Sequence, residues 1–224
     1  MRRSVPSAPV AIAASVCLVP AAHAEFIEPI LTIRTVEASA NNPGIGQDSD
    51  SRTTLDVGPF NESVLASAVG QDRIASASAS QNSRVESDRI VFSGAGTLTE
   101  RLNGGPEVTT AFRSEGLIVF ELAEQTNFTL LGGSENAPVN LRLFTITNET
   151  LIETETVPGD AVVFEGSLAP GQYQLFYNMF VGNDPDPVPD ESFTFAASYS
   201  LQFVVPAPTA TPALLGLLAL RRRR

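Results

Sequence analysis

Residues 193–205 alternate strictly between the two sides of an extended chain. The residues between the members of this series are mostly small or polar, as in Thr194, Ser198 and Gln202. A strand points successive side chains to opposite faces, whereas a helix repeats every 3.6 residues, so only a strand places the whole series on one face. The chain must therefore contain a long, half-buried strand, and something else must cover its apolar side. The series is Phe193, Phe195, Ala197, Tyr199, Leu201, Phe203 and Val205.

Other segments upstream have the same period of two. Tyr173, Leu175, Tyr177 and Met179 alternate with Gln172, Gln174, Phe176 and Asn178. Two shorter series predict further strands, one with Val139, Leu141 and Leu143 and one with Phe128 and Leu130. The segment 117–122 is apolar on both faces, which predicts a central strand.

Glycine and proline mark the connections between these segments. Pro158-Gly159 and Pro170-Gly171 each predict a type II turn, in which proline sets the first central residue and glycine takes the positive φ of the second. A turn at 103–106 predicts a hairpin that joins residues 89–99 to residues 108–113. Residues 41–51 are rich in glycine, aspartate and serine, which predicts a loop.

Two further segments have less distinctive patterns. Residues 62–71 fit a short helix as the alternative to extended chain, because Val64, Leu65, Ala68 and Val69 have a compatible spacing. Residues 75–80 alternate alanine and serine, which favours extended chain under a crossing strand.

Many short strands, glycine and proline turns and no capped helical period predict an all-β fold. We expect an antiparallel β-sandwich of the jelly-roll type, formed as a single domain by residues 25–205. The core is predicted to bury five side chains that lie in neighbouring strands: Tyr173, Leu175, Tyr199, Leu201 and Phe203.

Both ends of the chain have the composition of targeting segments. Arg2 and Arg3 precede an apolar run at 10–19, and Ala22-His23-Ala24 is an A-x-A cleavage site before Glu25. Residues 1–24 are therefore predicted to be a secretory signal peptide. At the other end, residues 206–224 combine prolines, a short apolar run at 213–220 and four terminal arginines.

The C-terminal segment resembles the PEP-CTERM sorting signal of exported bacterial proteins. The resemblance rests on Val205-Pro206-Ala207-Pro208, the apolar run and the arginine cluster. It implies a Gram-negative-type bacterium and an exosortase-type membrane protease that processes the tail. It also implies transient membrane contact through the tail and delivery to the cell surface or the extracellular polymer.

The domain between these segments lacks four chemically versatile residue types. The only histidine and cysteine are His23 and Cys17, both in the signal segment, and the chain has no tryptophan and no lysine. Catalysis by Ser-His-Asp or Cys-His groups, zinc sites built on histidine or cysteine, Schiff bases and disulfides are therefore excluded from this domain. We expect no catalytic residues and no cofactor.

The charge of the domain excludes nucleic acid as a partner. All 25 acidic residues lie in residues 25–205, and the 14 basic residues include six in the terminal segments. The domain thus carries 14 − 6 = 8 arginines and a net charge of 8 − 25 = −17. Phosphate backbones are repelled by such a surface, since their partners are normally basic.

Calcium is a weak candidate ligand at an acidic loop. Asp184, Asp186, Asp190 and Glu191 lie close together in sequence, and calcium prefers carboxylate oxygens. The three prolines between them favour an extended chain, however, which rises about 3.1 Å per residue and separates the carboxylates. A stiff solvated connector is the favoured interpretation, and Asp48, Asp50 and Asp56 form a still weaker cluster.

The composition favours a structural or adhesive role over enzymatic activity. Tyr173, Tyr177 and Tyr199 lie in phase with apolar residues, so we expect core positions rather than a platform for sugars. A carboxylate pair could hydrolyse glycosides, yet nothing in the spacing selects a pair. The leading hypothesis is a non-enzymatic, exported protein of the cell surface or extracellular matrix. The alternative is a carbohydrate- or calcium-binding module of the envelope, with extracellular polysaccharide as the partner.

Overall fold

The structure is a computed structural model that describes residues 27–70, 73–102, 108–182 and 192–205. These residues form twelve β-strands and no helix. The strands are β1 (Glu28–Asn42), β2 (Gly46–Thr54), β3 (Phe60–Val69), β4 (Arg73–Val85), β5 (Arg89–Leu102), β6 (Thr109–Leu122), β7 (Thr126–Glu135), β8 (Asn140–Thr145), β9 (Thr150–Glu155), β10 (Ala161–Leu168), β11 (Gly171–Gly182) and β12 (Ser192–Val204).

The strands form two antiparallel sheets of six strands each. Sheet A has the order β2-β1-β6-β11-β8-β9, and sheet B has the order β10-β7-β12-β5-β4-β3. Within them, β6-β11-β8-β9 packs against β5-β12-β7-β10, and the chain between β5 and β12 passes repeatedly from one sheet to the other. This is the strand order of a jelly roll. The predicted all-β sandwich is confirmed.

The first four strands extend both sheets of the jelly roll on the same side. The hairpin β1-β2 adds to β6 in sheet A, while the hairpin β3-β4 adds to β5 in sheet B. The two hairpins pack face to face. The sandwich therefore continues beyond the eight-stranded unit with a second, thinner part of the core.

The core differs in bulk between these two parts. Aromatic rings fill the jelly roll, whereas the extension buries mainly alanine, including Ala38 on β1 and Ala77 on β4. Glycines make room for two of the rings: a Cβ at Gly94 would lie 2.5 Å from the Tyr199 ring, and one at Gly116 would lie 2.4 Å from the Tyr177 ring. Each of these glycines pairs with its tyrosine across adjacent strands.

The five predicted core residues are all buried, but they are not all in neighbouring strands. Tyr173 and Leu175 belong to β11 in sheet A, whereas Tyr199, Leu201 and Phe203 belong to β12 in sheet B. The two strands therefore meet across the interior instead of side by side. Period two identifies the buried face of a strand but contains no information about which sheet the strand joins.

The predicted hairpin between residues 89–99 and 108–113 is wrong. β5 pairs with β4 and β12, β6 pairs with β1 and β11, and the two strands lie in opposite sheets. The predicted turn at 103–106 falls outside the described residues. A glycine-rich connection is equally suited to a hairpin and to a crossing between sheets, because both need a change of chain direction.

The predicted loop at 41–51 and the helical alternative at 62–71 are also wrong. β1 continues to Asn42, β2 begins at Gly46, and only a short turn separates them, closed by a 3.0 Å bond from the Ile45 amide to the Asn42 carbonyl. β2 is an edge strand with solvent-exposed side chains, so its polar composition resembles that of a loop. Residues 60–69 form β3, in which Val64 and Ala68 face the core as a strand requires.

The two predicted proline–glycine turns differ. At Pro158-Gly159, the Asp160 amide donates to the Val157 carbonyl at 3.0 Å and Gly159 has φ +89°. That geometry is a type II turn, as predicted. Gly171 has φ +153°, which is more extended than the roughly +80° of a type II turn. There the chain passes from β10 in sheet B to β11 in sheet A.

Candidate functional site

The acidic loop proposed for calcium, with Asp184, Asp186, Asp190 and Glu191, lies outside the described residues, as do the signal segment and the C-terminal tail. Within the described ranges, no three or more metal-ligating side chains come together. In the weaker cluster, the carboxylate of Asp48 accepts a 2.8 Å hydrogen bond from the Ser67 amide, and Asp50 pairs with Arg52. The first contact links β2 to β3, whereas the second lies within the exposed edge strand β2.

The tyrosines of β11 and β12 belong to the interior, as predicted. Tyr177 accepts a hydrogen bond from the Gln81 side-chain amide, and Ser114 bonds to the Tyr199 hydroxyl at 2.8 Å and to Gln81 at 3.2 Å. Burial raises the pKa of Tyr199 to about 12, and burial together with Tyr199 raises the pKa of Tyr177 well above its usual value. Both hydroxyls therefore remain protonated and form hydrogen bonds within the core.

A groove lies on the outer face of sheet A, where β1, β6 and β11 run side by side. Its volume is about 420 Å³, within the range of small-ligand sites. One cross-strand row supplies Glu37, Arg113 and Phe180, which are direct neighbours in the register. The next row consists of Ser39, Ala111 and Gly182, whose small side chains leave the floor of the groove low.

Phe180 is the most prominent side chain of this groove. It is 60% exposed, although phenylalanine normally lies in the core. Two of its ring atoms, Cε1 and Cζ, lie 3.2 Å from the position that a Cβ of Gly182 would take. The ring therefore leans over the bare backbone of Gly182, where a side chain would displace it.

Two polar side chains of the groove differ in their hydrogen bonding. The Arg113 guanidinium pairs with the carboxylate of Glu115, two residues along the strand. Asn178, which lies between Phe176 and Phe180 on the outer face, has a buried side-chain oxygen without a hydrogen-bond partner. A buried acceptor without a partner is unfavourable by about 1–3 kcal/mol.

A second groove lies on the outer face of sheet B, with a volume of about 380 Å³. Gly133, Ser198 and Ser200 contribute to its lining, together with two carboxylate residues, Glu135 and Asp160. The Ser198 hydroxyl donates to Glu135 at 3.3 Å. These two carboxylates are among the many that sequence spacing did not single out.

The groove at Phe180 was missed by the sequence analysis, although a signal for it exists. Phe176 and Phe180 occupy the phase of β11 that also contains Gln172, Gln174 and Asn178. Aromatic side chains in a polar phase point to a surface that binds something. The neighbouring residues on β1 and β6 could not be identified, because their contact with β11 depends on the strand order of sheet A.

Comparisons with known proteins leave the family of the chain open. No protein-family model and no curated protein matches the sequence. Several solved structures show remote similarity, two of which are described below. The enzymatically active domain of tailspike protein 4 of bacteriophage CBA120 has 7% identity and a TM-score of 0.23, covering 49% of this chain and 18% of that one. The GH31 alpha-xylosidase of Xanthomonas citri has 11% identity and a TM-score of 0.21, covering 88% and 29%.

The chain therefore spans less than a third of the length of either of these structures. Neither similarity is close enough to inform function. No helix long and apolar enough to cross a membrane occurs in the described part of the chain.

Proposed function

We propose that this protein is an exported, non-enzymatic β-sandwich that acts at the bacterial cell surface or in the extracellular matrix as an adhesive module. Residues 1–24 direct export, and residues 206–224 direct sorting through an exosortase-type protease. The domain between them binds its partner through the outer face of a sheet.

The observation that carries this proposal is the position of the groove at Phe180. The interior between the sheets is filled by side chains such as Phe92, Phe120 and Phe203, whose rings pack against neighbouring rings at 4.2–5.8 Å. The groove with an exposed aromatic ring is instead on the surface of the sandwich. A rigid sheet that presents a shallow, preformed surface is suited to adhesion.

The chemistry of the domain supports binding rather than catalysis. Residues 25–205 lack histidine, cysteine and lysine, so the common nucleophiles with an adjacent base are absent from this part of the sequence. The groove at Phe180 pairs its arginine with a carboxylate instead of leaving either group free.

Deleting the protein from the bacterium that makes it tests the proposal. We expect the deletion to reduce attachment of cells to one another or to their matrix, and the wild-type chain to restore it. Cell fractionation should place the protein in the surface or matrix fraction. Normal attachment of the deletion strain, or a cytoplasmic location, would contradict the proposal.

Enzymatic activity is tested separately with the purified protein. Incubation with polysaccharides is expected to release no reducing ends. Sustained release that is abolished by Glu135→Gln or Asp160→Asn would show instead that the groove on sheet B is a hydrolytic site.

A further inference from the structure

We propose that the groove at Phe180 binds a neutral polysaccharide chain, which stacks on the Phe180 ring and hydrogen bonds to Glu37, Arg113 and Asn178. The inference rests on the proposed function and names the class of partner that the outer face of sheet A recognises.

Phe180 provides the platform for a sugar ring. The C–H groups on one side of a pyranose carry a partial positive charge, and the face of a phenyl ring is negative. Phe180 is 60% exposed and leans over Gly182, so its ring is accessible beside the low floor formed by Ser39 and Ala111. An aromatic ring next to an open floor is the arrangement that a flat sugar ring requires.

The polar groups beside the ring match the hydroxyl groups of a sugar. Arg113 is the direct neighbour of the platform in the cross-strand row and Glu37 is the next residue along it, one donating and one accepting hydrogen bonds. The amide side chain of Asn178 lines the same groove and is a further polar group beside the ring. Vicinal sugar hydroxyls both donate and accept, so they suit such a mixed set of partners.

The surface continues along β11, which favours an extended chain over a single sugar. Phe176 lies four residues from Phe180 on the same outer face, about 13 Å away along the strand. Phe144 of β8 lies beside Gln174 of β11 in the register. Aromatic and amide side chains thus alternate along the outer face of sheet A, as they would beneath several sugar units in a row.

Charge selects a neutral polymer. Carboxylates outnumber guanidinium groups on this face, where Arg113 and Arg142 lie among Glu37, Glu115, Glu121, Glu153 and Glu155. The Arg113 and Arg142 side chains are already paired, with Glu115 and Glu153. An anionic polysaccharide would meet net repulsion here, in a domain that carries −17 charges overall.

Affinity electrophoresis of the purified full-length protein tests the inference. The gels contain hydroxyethyl cellulose, galactomannan or dextran as neutral polymers, and alginate as the anionic one. We expect at least one neutral polymer to retard the protein and alginate not to. Phe180→Ala should weaken the interaction about tenfold, as loss of a central aromatic contact does, while Phe180→Tyr should retain it.

Two further variants test whether a loss of binding is specific to the Phe180 ring. Phe193 is 45% exposed but lies on β12 of sheet B, so Phe193→Ala is the matched control and should bind normally. Gly182→Ala should reduce binding less than Phe180→Ala does, because a Cβ 3.2 Å from two atoms of this exposed ring shifts the ring by only a few tenths of an ångström.

Retardation by no neutral polymer, or retardation that survives Phe180→Ala, would overturn the inference. If Phe180→Ala instead abolished self-association in analytical ultracentrifugation and left electrophoresis unchanged, a second copy of the chain would be the occupant of this face. Neither result would contradict the proposed function, because the attachment assay of the deletion strain does not depend on the class of partner.

Discussion

At the scale of residues, the side chains on the two faces of β11 have different roles. Tyr177 on the inner phase meets Tyr199 across the interior, with ring centroids 5.5 Å apart, and both hydroxyls hydrogen bond within the core. Phe180 on the outer phase contacts Gly182 and solvent. The direction of a side chain from the sheet, and not its residue type, therefore separates core from candidate site in this chain.

The buried tyrosines predict a loss of stability at high pH. Burial raises the pKa of Tyr199 to about 12, so above its ordinary value of about 10 the unfolded chain releases this proton while the folded chain keeps it. The free energy of unfolding should be insensitive to this group below about pH 10 and should fall between about pH 10 and 12. Tyr177, raised in the same direction, adds to the fall. Urea denaturation across this range, with tyrosinate absorbance in parallel, measures the effect.

In the Tyr173→Phe variant, a tyrosinate signal that appeared near pH 10 with the protein still folded would contradict the burial of the Tyr177 and Tyr199 hydroxyls. Tyr173→Phe is the matched control, because the Tyr173 hydroxyl bonds to the Ala169 carbonyl near the surface and burial raises its pKa less far. Its substitution should leave most of the pH dependence in place.

Leu201→Ala tests the buried phase of β12. Leu201 is 1% exposed and packs over Gly132, so we expect the free energy of unfolding to fall by about 2–5 kcal/mol, as for other large-to-small changes in a core. The control is Leu65→Ala on β3, where the side chain is 61% exposed and the change should be within about 0.5 kcal/mol. Equal losses for the two variants in urea denaturation would show that the phase of β12 is wrong.

At the scale of elements, one buried arginine stabilises the connection from β2 in sheet A to β3 in sheet B. The Arg34 guanidinium on β1 donates to the carbonyls of Asp56 and Gly58 in the connection from β2 to β3, the latter at 2.6 Å. It also donates to the Ser83 carbonyl and hydroxyl on β4 at 3.3 and 3.2 Å. Burial lowers the pKa of Arg34, partly opposed by Tyr177 and Asp56.

Arg34→Ala is expected to destabilise the fold by about 3 kcal/mol, because it removes a buried side chain together with its hydrogen bonds to β4 and to the connection from β2 to β3. Arg34→Lys should restore only part of the loss, since an ammonium lacks the forked geometry that reaches both β4 and the connection. Arg52→Ala, which removes an exposed ion pair, should cost at most about 1 kcal/mol. Thermal and urea unfolding of the three variants provide the comparison, and a neutral Arg34→Ala would refute the anchoring role.

The strands themselves were more predictable than their pairing. Alternation identified the buried faces of β11 and β12, because that pattern is local. The pairing of β5 with β12 depends on contacts about a hundred residues apart, which no local pattern contains. The edge strand β2 was missed for a different reason: with both faces exposed, it needs no alternation of apolar residues.

The candidate site was less predictable than the fold. Its aromatic member was visible as an apolar residue in a polar phase, but its polar members come from three strands that only the sheet order brings together. The acidic loop was a weak candidate in sequence because the prolines separate its carboxylates, and its role in calcium binding stays a prediction.

At the scale of the whole molecule, the sandwich is expected to be stable without calcium. A cation bound only by the folded state would stabilise it by RT ln(1 + [L]/Kd) and so raise the melting temperature as its concentration increases. Addition of a chelator to the purified protein should therefore leave the melting temperature unchanged. A rise of several degrees in millimolar calcium would show that the folded protein binds calcium, and loss of that rise on substitution of Asp184, Asp186, Asp190 and Glu191 would place the ion at the acidic loop.

The tail is expected to act in delivery and not in folding. The described core ends at Val205, which is fully buried and donates its amide to the Asp88 carbonyl at 2.8 Å. Deletion of residues 206–224 should leave thermal unfolding unchanged but release the protein to the medium or mislocalise it. A deletion variant that still reached the surface would show that the tail is not needed for sorting.

We propose that the two terminal segments deliver this chain to the cell surface. Mass spectrometry of the protein recovered from the cell surface tests this proposal, because it determines both ends of the mature chain. We predict that the mature protein begins at Glu25 and ends near Pro208, with the terminal arginines removed. Correctly located protein that still carries Arg224 would contradict the claim that the tail is a processed sorting signal.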